Sequence, residues 1–498
     1  MFLNSSTKLL RFINRHHITY LRFLTNETNA QSLLVNVLGM NENVAQQFIT
    51  EHKINNVDSN KLKDTVDFIK KQKYKVSDIL KHPRIFQQHG NHTWQHYYNY
   101  FTECGCTKVP ITNIINFRRI RYTAISVLKD LGVIPKDTVV VDSLLSQLDI
   151  TIPEDKVCKL RNDELTLSYV HRSVTHNYLI TKLGAKIEDL ETIDRIHKHI
   201  YNKSLKTLCE NVNLALEIGF SPGKILRNAY ILQVNPDKTR AILNEIPNFL
   251  NCDMRAKMRS FPKLIGQSLE TIYKIHEILK KFNISDETAA KVMNIFTLAP
   301  QTVEARLNDV KSTPETRVLM NNPQILQLIV HYHRAKSRLQ FLHKVRLKCA
   351  SLVVISFDGN VFDNYIKEGK DINKRSETSN FLYSLLKCTK DDLEVNFKRH
   401  PYYLYVPFVD IENTYRYLRH QQFANHHIIK AISILLYPKE KIIDVLELIR
   451  EDHYLSSRKP RVNKSKILNL ALYYLEKDHH FTGNGIWRVN EDYVQTLQ

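Results

Sequence analysis

The chain has 498 residues, a formal net charge of +20 and an isoelectric point of about 9.4. This excess of Lys and Arg favours a polyanionic partner, either nucleic acid or an acidic membrane surface. The seven cysteines are scattered and odd in number, which argues against a disulfide framework and for a reducing compartment. The sequence contains no run of about 18 apolar residues, so no membrane-spanning helix is predicted.

Residues 1–26 form a segment of distinct composition. They contain no Asp or Glu, and Lys8, Arg11, Arg15 and Arg22 alternate with apolar side chains. A basic, amphipathic and acid-free start is typical of a mitochondrial presequence, although an ordinary basic first helix is the alternative. We therefore predict a presequence over residues 1–26 and a location in the mitochondrial matrix.

From residue 27 onwards, leucine-rich helical segments end at a small or polar residue about every 33 residues, a period typical of helical repeats. The clearest anchors are Leu38-Gly39, Cys104-Gly105, Leu183-Gly184 and Ile218-Gly219, and weaker copies are Leu148-Asp149, Phe282-Asn283, Lys387-Cys388 and Gln421-Gln422. A unit of this size cannot bury a core alone, so it must stack on its neighbours. We predict an all-α helical-repeat solenoid over residues 27–455, irregular at 131–170 and 350–380, with a loop at 356–379. A basic C-terminal extension and tail follow at 456–498.

A second pattern, Pro followed by apolar residues, recurs inside the units. Its copies are His82-Pro83-Arg84-Ile85-Phe86, Ile246-Pro247-Asn248-Phe249-Leu250, Phe261-Pro262-Lys263-Leu264-Ile265, Asn322-Pro323-Gln324-Ile325-Leu326 and His400-Pro401-Tyr402-Tyr403-Leu404. Proline cannot continue a helix interior and restricts the residue before it. Each of these prolines is therefore expected to end a helix.

The two patterns together resemble the mitochondrial transcription termination factor (mTERF) family, most closely its insect-type members. Residues 74–86 and 388–404 carry the clearest copies, and the resemblance covers roughly residues 32–455. It implies an all-α superhelix of left-handed, triangular three-helix units. It also implies double-stranded DNA or RNA bound along a basic inner surface, in transcription termination or regulation or in ribosome assembly. The family brings no catalytic residues with it.

Candidate nucleic-acid contacts form three basic clusters and a scattered set. The first cluster lies in the acid-free residues 331–348 and consists of Arg334, Lys336, Arg338, Lys344, Arg346 and Lys348. The second lies near the C-terminus and consists of Arg458, Lys459 and Arg461, and the third consists of Arg118, Arg119 and Arg121, between Phe117 and Tyr122. The scattered set is Arg227, Arg240, Arg416 and Arg419. On a helix, Arg334 and Arg338 share one face, and such charges bind nucleic acid by releasing its counterions. Solvated helix faces are the alternative for every cluster.

Motifs for other chemistry are not found in the sequence. His89, His92 and His96 precede Cys104 and Cys106, but the spacing is not that of a zinc site. Residues 219–224 lack the spacing of a phosphate-binding loop, and hydrolase motifs such as Gly-x-Ser-x-Gly are missing. We therefore expect no enzyme activity, no cofactor and no metal.

Three functions fit these observations. The first is a double-stranded mitochondrial DNA binder that terminates or regulates transcription. The second is a mitochondrial RNA-binding or ribosome-assembly factor of the same fold. The third is a regulator that binds another DNA-bound termination factor, which could be a second member of this family. None of the three involves membrane insertion.

Overall fold

The computed structural model describes residues 30–54, 57, 59–88, 91–349, 351–357, 360–369, 371–451 and 463–478. The predicted presequence lies outside this range. The chain divides into two compact units, which we call the N-terminal unit (residues up to 245, and 258–266) and the C-terminal unit (246–257, and from 267 on). Each is described by itself.

The structure is built almost entirely from short and medium helices, which confirms the predicted all-α repeat fold. In chain order the α-helices are Glu42–Glu51, Ser59–Lys71, Val76–Lys81, Arg84–Gln88, Asn91–Glu103, Ile111–Ile115, Phe117–Ile120, Ile125–Asp130, Val140–Leu145, Leu167–Leu183, Ile187–Ile196, Leu205–Ile218, Pro222–Arg227, Pro236–Glu245, Met254–Ser260, Leu269–Lys281, Asp286–Lys291, Pro300–Ser312, Pro314–Arg317, Ile325–Val330, Tyr332–Lys344, Leu352–Ser356, Val361–Glu368, Arg375–Leu386, Lys390–Asp392, Phe408–His420, Asn425–Lys430, Lys439–Glu451 and Lys464–Asp478. The 3₁₀-helices are Glu154–Lys156, Cys158–Leu160, Lys198–Asn202, Ala229–Gln233, Pro262–Leu264, Met293–Thr297 and Ile432–Leu436, and the π-helical turns are Leu33–Val37 and Leu393–Phe397.

A short β-hairpin interrupts the helices. Its strands Asn248–Phe249 and Cys252–Asp253 pair antiparallel. The two residues that join them, Leu250 and Asn251, both have positive φ, as a two-residue hairpin turn of matching twist requires.

The repeat is visible in where the long helices begin. Five of them start at residues 205, 236, 269, 300 and 332, which are 31 to 33 residues apart. In the regular repeats a long helix is followed by a short helix and then a 3₁₀ turn, as in Leu269–Lys281, Asp286–Lys291 and Met293–Thr297. The spacing widens where residues 131–170 and 350–380 contribute additional short helices.

Most of the predicted anchors lie in the left-handed conformation at the end of a helix. Gly39, Gly105, Gly184, Gly219, Asn283 and Gln422 all have positive φ. At Gly184 the N–H donates to the Ile180 carbonyl at 3.0 Å, and the next N–H, of Ala185, reaches back to Leu179 at 3.3 Å. These bonds satisfy carbonyls that the end of a helix would leave without donors.

Two anchors differ from the prediction. In the pair Lys387-Cys388 it is Lys387 that has positive φ. Asp149 does not adopt this conformation, and its carboxylate instead accepts hydrogen bonds from Lys182 Nζ at 2.8 Å and Asn213 Nδ2 at 2.7 Å. A polar residue after leucine therefore marked a tertiary contact at this position, not a helix end.

The prolines behave largely as expected. Pro83, Pro247 and Pro262 each follow a helix that ends two residues earlier, at Lys81, Glu245 and Ser260. Pro323 and Pro401 lie in turns further from the preceding helix. The rigid φ of proline thus separates successive helices of a repeat.

The predicted loop at residues 356–379 is wrong. A helix, Val361–Glu368, lies within it and ends at Gly369, whose φ is +61°. The Phe362 ring packs edge-on against Phe341 at 5.9 Å between centroids. An aromatic contact with the preceding long helix therefore stabilises a segment that polar composition alone presents as a loop.

A buried carboxylate joins two helices of the N-terminal unit. Glu103, at the end of Asn91–Glu103, is 5% exposed and accepts the N–H groups of Leu205 at 2.7 Å and Lys206 at 3.2 Å. It thereby caps the first turn of Leu205–Ile218. Burial outweighs these hydrogen bonds and raises the pKa of Glu103 to about 7.

Two glycines at equivalent helix ends should respond differently to alanine. Gly184→Ala places a Cβ in open space at φ +64°, so we expect only the left-handed strain, about 1–2 kcal/mol. In Gly105→Ala the new Cβ would also lie 2.4 Å from Thr138 Cγ2, which adds about 1–3 kcal/mol. Urea unfolding of both variants measures the difference, and equal losses would contradict the packing around Gly105.

Glu103 should make stability depend on pH. Its folded pKa of about 7 lies above the value of 4.5 for an unperturbed glutamate, so the folded chain binds an extra proton between these two pH values. Stability therefore falls as pH rises through this window, by up to about 3 kcal/mol at 1.36 kcal/mol per unit. The neutral variant Glu103→Gln should lose this component. Unfolding free energies of both proteins from pH 5 to 8 test it, and parallel pH profiles would refute the assignment.

Candidate nucleic-acid interface

The first basic cluster is largely built into the C-terminal unit. The guanidinium of Arg338 donates through Nη1 to the carbonyls of Val354 at 3.1 Å and Phe357 at 2.7 Å. Arg334 Nη2 donates to the Ser356 carbonyl at 2.7 Å. Both arginines thus cap the C-terminal end of the helix Leu352–Ser356, where carbonyls lack intrahelical donors and cations are favoured.

The opposite end of the same helix is capped by an acid. Glu377 is 4% exposed and accepts from the N–H groups of Leu352 at 2.9 Å and Val353 at 3.1 Å. The five-residue helix therefore lies between a buried carboxylate and two guanidinium groups. Burial and the nearby Arg334 lower the pKa of Arg338, although a guanidinium remains charged. Arg334 and Arg338 thus have a structural role in this conformation.

The other members of this cluster are more accessible. Lys336 is exposed, and its Nζ lies 3.3 Å from the Asp309 carboxylate and 3.0 Å from the Tyr332 hydroxyl. Lys344, Arg346 and Lys348 are exposed at the end of Tyr332–Lys344 and in the turn that follows. Apart from Lys336, the accessible charge of the cluster therefore lies at this helix end, and not on the face that Arg334 and Arg338 share.

The third cluster divides between surface and interior. Arg118 and Arg119 are exposed on the helix Phe117–Ile120. Arg121 is only 7% exposed, and its Nη2 and Nε donate to Ser168 Oγ at 2.6 and 3.2 Å. Its guanidinium also lies 4.9 Å from the ring centroid of Tyr122, which is 65% exposed. Arg118 and Arg119 are therefore exposed to solvent, whereas Arg121 holds the helix to its neighbour.

The scattered arginines have contacts of their own. Arg240 lies 3.4 Å from Glu210, and Arg416 lies 2.7 Å from Glu412. Arg227 donates to the Gly223 carbonyl at 3.2 Å and Arg419 to the Phe423 carbonyl at 3.1 Å. All four are exposed, so these surface contacts are weak and exchangeable, and a role in binding stays a prediction. Arg458, Lys459 and Arg461 lie outside the described residues.

A fourth basic surface was missed from the sequence. Lys70, Lys71, Lys73 and Lys75 are exposed at the end of Ser59–Lys71 and in the turn after it. No acidic side chain pairs with any of the four within the described part of the chain. Four lysines in six residues are a visible sequence signal, although Asp64, Asp67 and Asp78 lie close to them in the sequence. We call residues 70–75 the lysine turn.

Features of other kinds of site are not found in the described part of the chain. No three His, Cys, Asp or Glu side chains there are placed to hold a metal ion. None of the described helices is both long and apolar enough to cross a membrane.

Comparison with known proteins identifies a relative along most of the chain. Over 434 residues, 86% of this chain and 77% of the relative, the sequence is 29% identical to the Drosophila melanogaster protein named "Transcription termination factor 5, mitochondrial". No protein-family model and no solved structure matches the chain. The relative supports the resemblance to the mitochondrial transcription termination factor family that the repeats predict.

Arg338 and Lys344 provide a matched pair on one helix. Arg338→Ala removes charged hydrogen bonds to two carbonyls, and we expect it to lower the free energy of unfolding by about 1.5–3 kcal/mol. Lys344→Ala, at an exposed position, should change it by less than about 0.5 kcal/mol. Urea unfolding measures both. If Arg338→Ala were as stable as Lys344→Ala, the cap on Leu352–Ser356 would be refuted and Arg338 would return to the candidate contacts.

Proposed function

We propose that the chain belongs to the mitochondrial transcription termination factor family, that it binds mitochondrial nucleic acid, principally double-stranded DNA, and that it terminates or regulates transcription in the matrix. The observation that carries the proposal is the similarity to a protein named as a mitochondrial transcription termination factor, which extends over 86% of this chain. That name describes transcription, not catalysis.

The charge of the chain supports a nucleic-acid partner. A net charge of +20 attracts a polyanion at long range. Contacts with phosphates release condensed counterions, so binding of this kind weakens steeply as salt rises. A chain held at many phosphates along a duplex would obstruct a polymerase by its bulk and by slow dissociation.

Within the N-terminal unit we assign the contact to Arg118 and Arg119. Both side chains are exposed on the short helix Phe117–Ile120, which Arg121 anchors through Ser168. A guanidinium presents two parallel donors to a phosphate, and such pairs are among the stronger hydrogen bonds in proteins. The buried anchor keeps both exposed side chains on one fixed turn.

Binding to duplex DNA, single-stranded DNA and RNA of the same organellar sequence, measured side by side over a salt series, tests the target. We expect the full-length chain to prefer the duplex, with a steep salt dependence. Preference for RNA would instead support the ribosome-assembly or RNA-binding role. No binding above that of a generic basic protein would refute the proposal and favour a regulator that acts through another DNA-bound protein.

Reversing both charges should weaken binding without unfolding the chain. For Arg118→Glu/Arg119→Glu we expect affinity to fall about tenfold or more and the logarithmic salt slope to decrease by about 2. The control, Arg195→Glu/Lys198→Glu, makes the same change in net charge at exposed positions of an acid-rich segment. Equal losses in the two double variants would show only the effect of net charge and would remove Arg118 and Arg119 from the interface.

A further inference from the structure

Basic residues occupy unusual backbone positions in this chain. Among the described residues, eight that are not glycine have positive φ, and four of these are Lys53, Lys73, Arg346 and Lys387. All four side chains are exposed. A Cβ makes this conformation unfavourable, and Asn, Asp and His are the residues that usually replace Gly there.

The turns at Lys73 and Arg346 match those that glycine forms elsewhere in the chain. The Lys73 N–H donates to Lys70 at 3.1 Å, and the following N–H donates to Ile69 at 3.2 Å. At Arg346 the equivalent bonds are 3.2 Å to His343 and 2.9 Å to Leu342. These bonds use only backbone atoms, so the turn would form with glycine at less strain. The backbone therefore does not require the positive side chain.

The sequence neighbours of the two turns are basic as well, although the Asp371 carboxylate accepts the Lys348 N–H at 2.9 Å. Lys73 lies within the lysine turn (residues 70–75), whose four lysines are exposed. Arg346 lies between Lys344 and Lys348, also exposed, in a segment that we call the second basic turn (residues 344–348). Each turn thus concentrates three or four cations at one helix end.

Compensation of the helix dipole is the simplest alternative. Cations near a helix C-terminus are stabilising, which accounts for Lys70 and Lys71 in the last turn of Ser59–Lys71. The helix dipole does not favour a cation at the residue with positive φ over a cation at the residue beside it. If the dipole were the whole reason, replacing Lys73 with glycine would lower the stability of the fold.

We propose that the lysine turn and the second basic turn bind the phosphate backbone of the nucleic acid, each within its own unit. This inference rests on the proposed function and names further contacts for it. At the lysine turn the partner is nucleic acid rather than an acidic membrane, because no large apolar side chain of residues 61–86 is exposed to enter a bilayer. At each turn, a cation that contributes to binding occupies a position where glycine would make the backbone more stable.

The test separates stability from affinity in the full-length chain. Lys73→Gly should leave the urea midpoint unchanged or raise it, while affinity for duplex DNA at 0.15 M salt falls about fivefold and the salt slope decreases by about 1. Lys73→Asn, which tolerates the same backbone conformation, should weaken binding similarly. Arg346→Gly should weaken binding in the same way.

Lys387→Gly is the matched control. Lys387 has the same conformation and charge, with φ +53°, but Asp391 and Asp392 follow it, so we expect unchanged affinity. Equal losses at Lys73 and Lys387 would overturn the proposal, as would a destabilised Lys73→Gly protein with normal affinity. If Arg118→Glu/Arg119→Glu weakened binding while Lys73→Gly and Arg346→Gly did not, this inference would fail and the proposed function would stand.

Discussion

The constraint on which this structure depends is that helices must end often. A repeat of about 32 residues contains two or three helices, and every helix leaves carbonyl groups at its end without intrahelical donors. The chain satisfies them in two ways. Left-handed residues such as Gly184 turn the backbone N–H groups back onto the carbonyls. Where the helix is short, basic side chains from a neighbouring helix donate instead, as Arg338 does to Phe357 and Arg306 to Ile329 at 2.7 Å.

This constraint changes how the positive charge of the chain must be interpreted. A count of Lys and Arg does not separate cations that bind a ligand from cations that cap helices. Arg259 donates to the Ile218 carbonyl and Lys257 to the Ala290 carbonyl, both at 2.7 Å. Such residues contribute to the long-range field that attracts a polyanion, but each already donates a hydrogen bond within the fold. In the proposed function, the direct contacts therefore come from exposed residues such as Arg118.

Sequence predicted the repeat well but did not show which basic side chains the fold itself uses, for physical reasons. The repeat length could be predicted because the apolar face of each helix and the residue that ends the helix recur together, as at Gly184, Gly219 and Asn283. The role of Arg334 and Arg338 could not be predicted from the sequence, because their acceptors are backbone carbonyls about 20 residues away. Every residue has a carbonyl, so the sequence does not show which one accepts a hydrogen bond. The same holds for Arg121, whose partner Ser168 lies 47 positions along the chain. The helix Val361–Glu368 was missed because its stability depends on Phe362 packing against another helix.

The two ways of ending a helix also differ in what they leave free. A guanidinium cap commits the charge to the fold, so a mutation at Arg338 acts on stability and binding together. A left-handed turn bonds through its backbone alone, and the side chain at that position is open to selection for another purpose. Glycine there minimises strain, as in Gly219, whereas lysine there retains strain and adds an exposed cation, as in Lys73. In a repeat fold the turn recurs in many units, so surface charge can change at one turn without repacking a helix. This separation is the physical reason to look for nucleic-acid contacts at helix ends, where substitution affects the fold least.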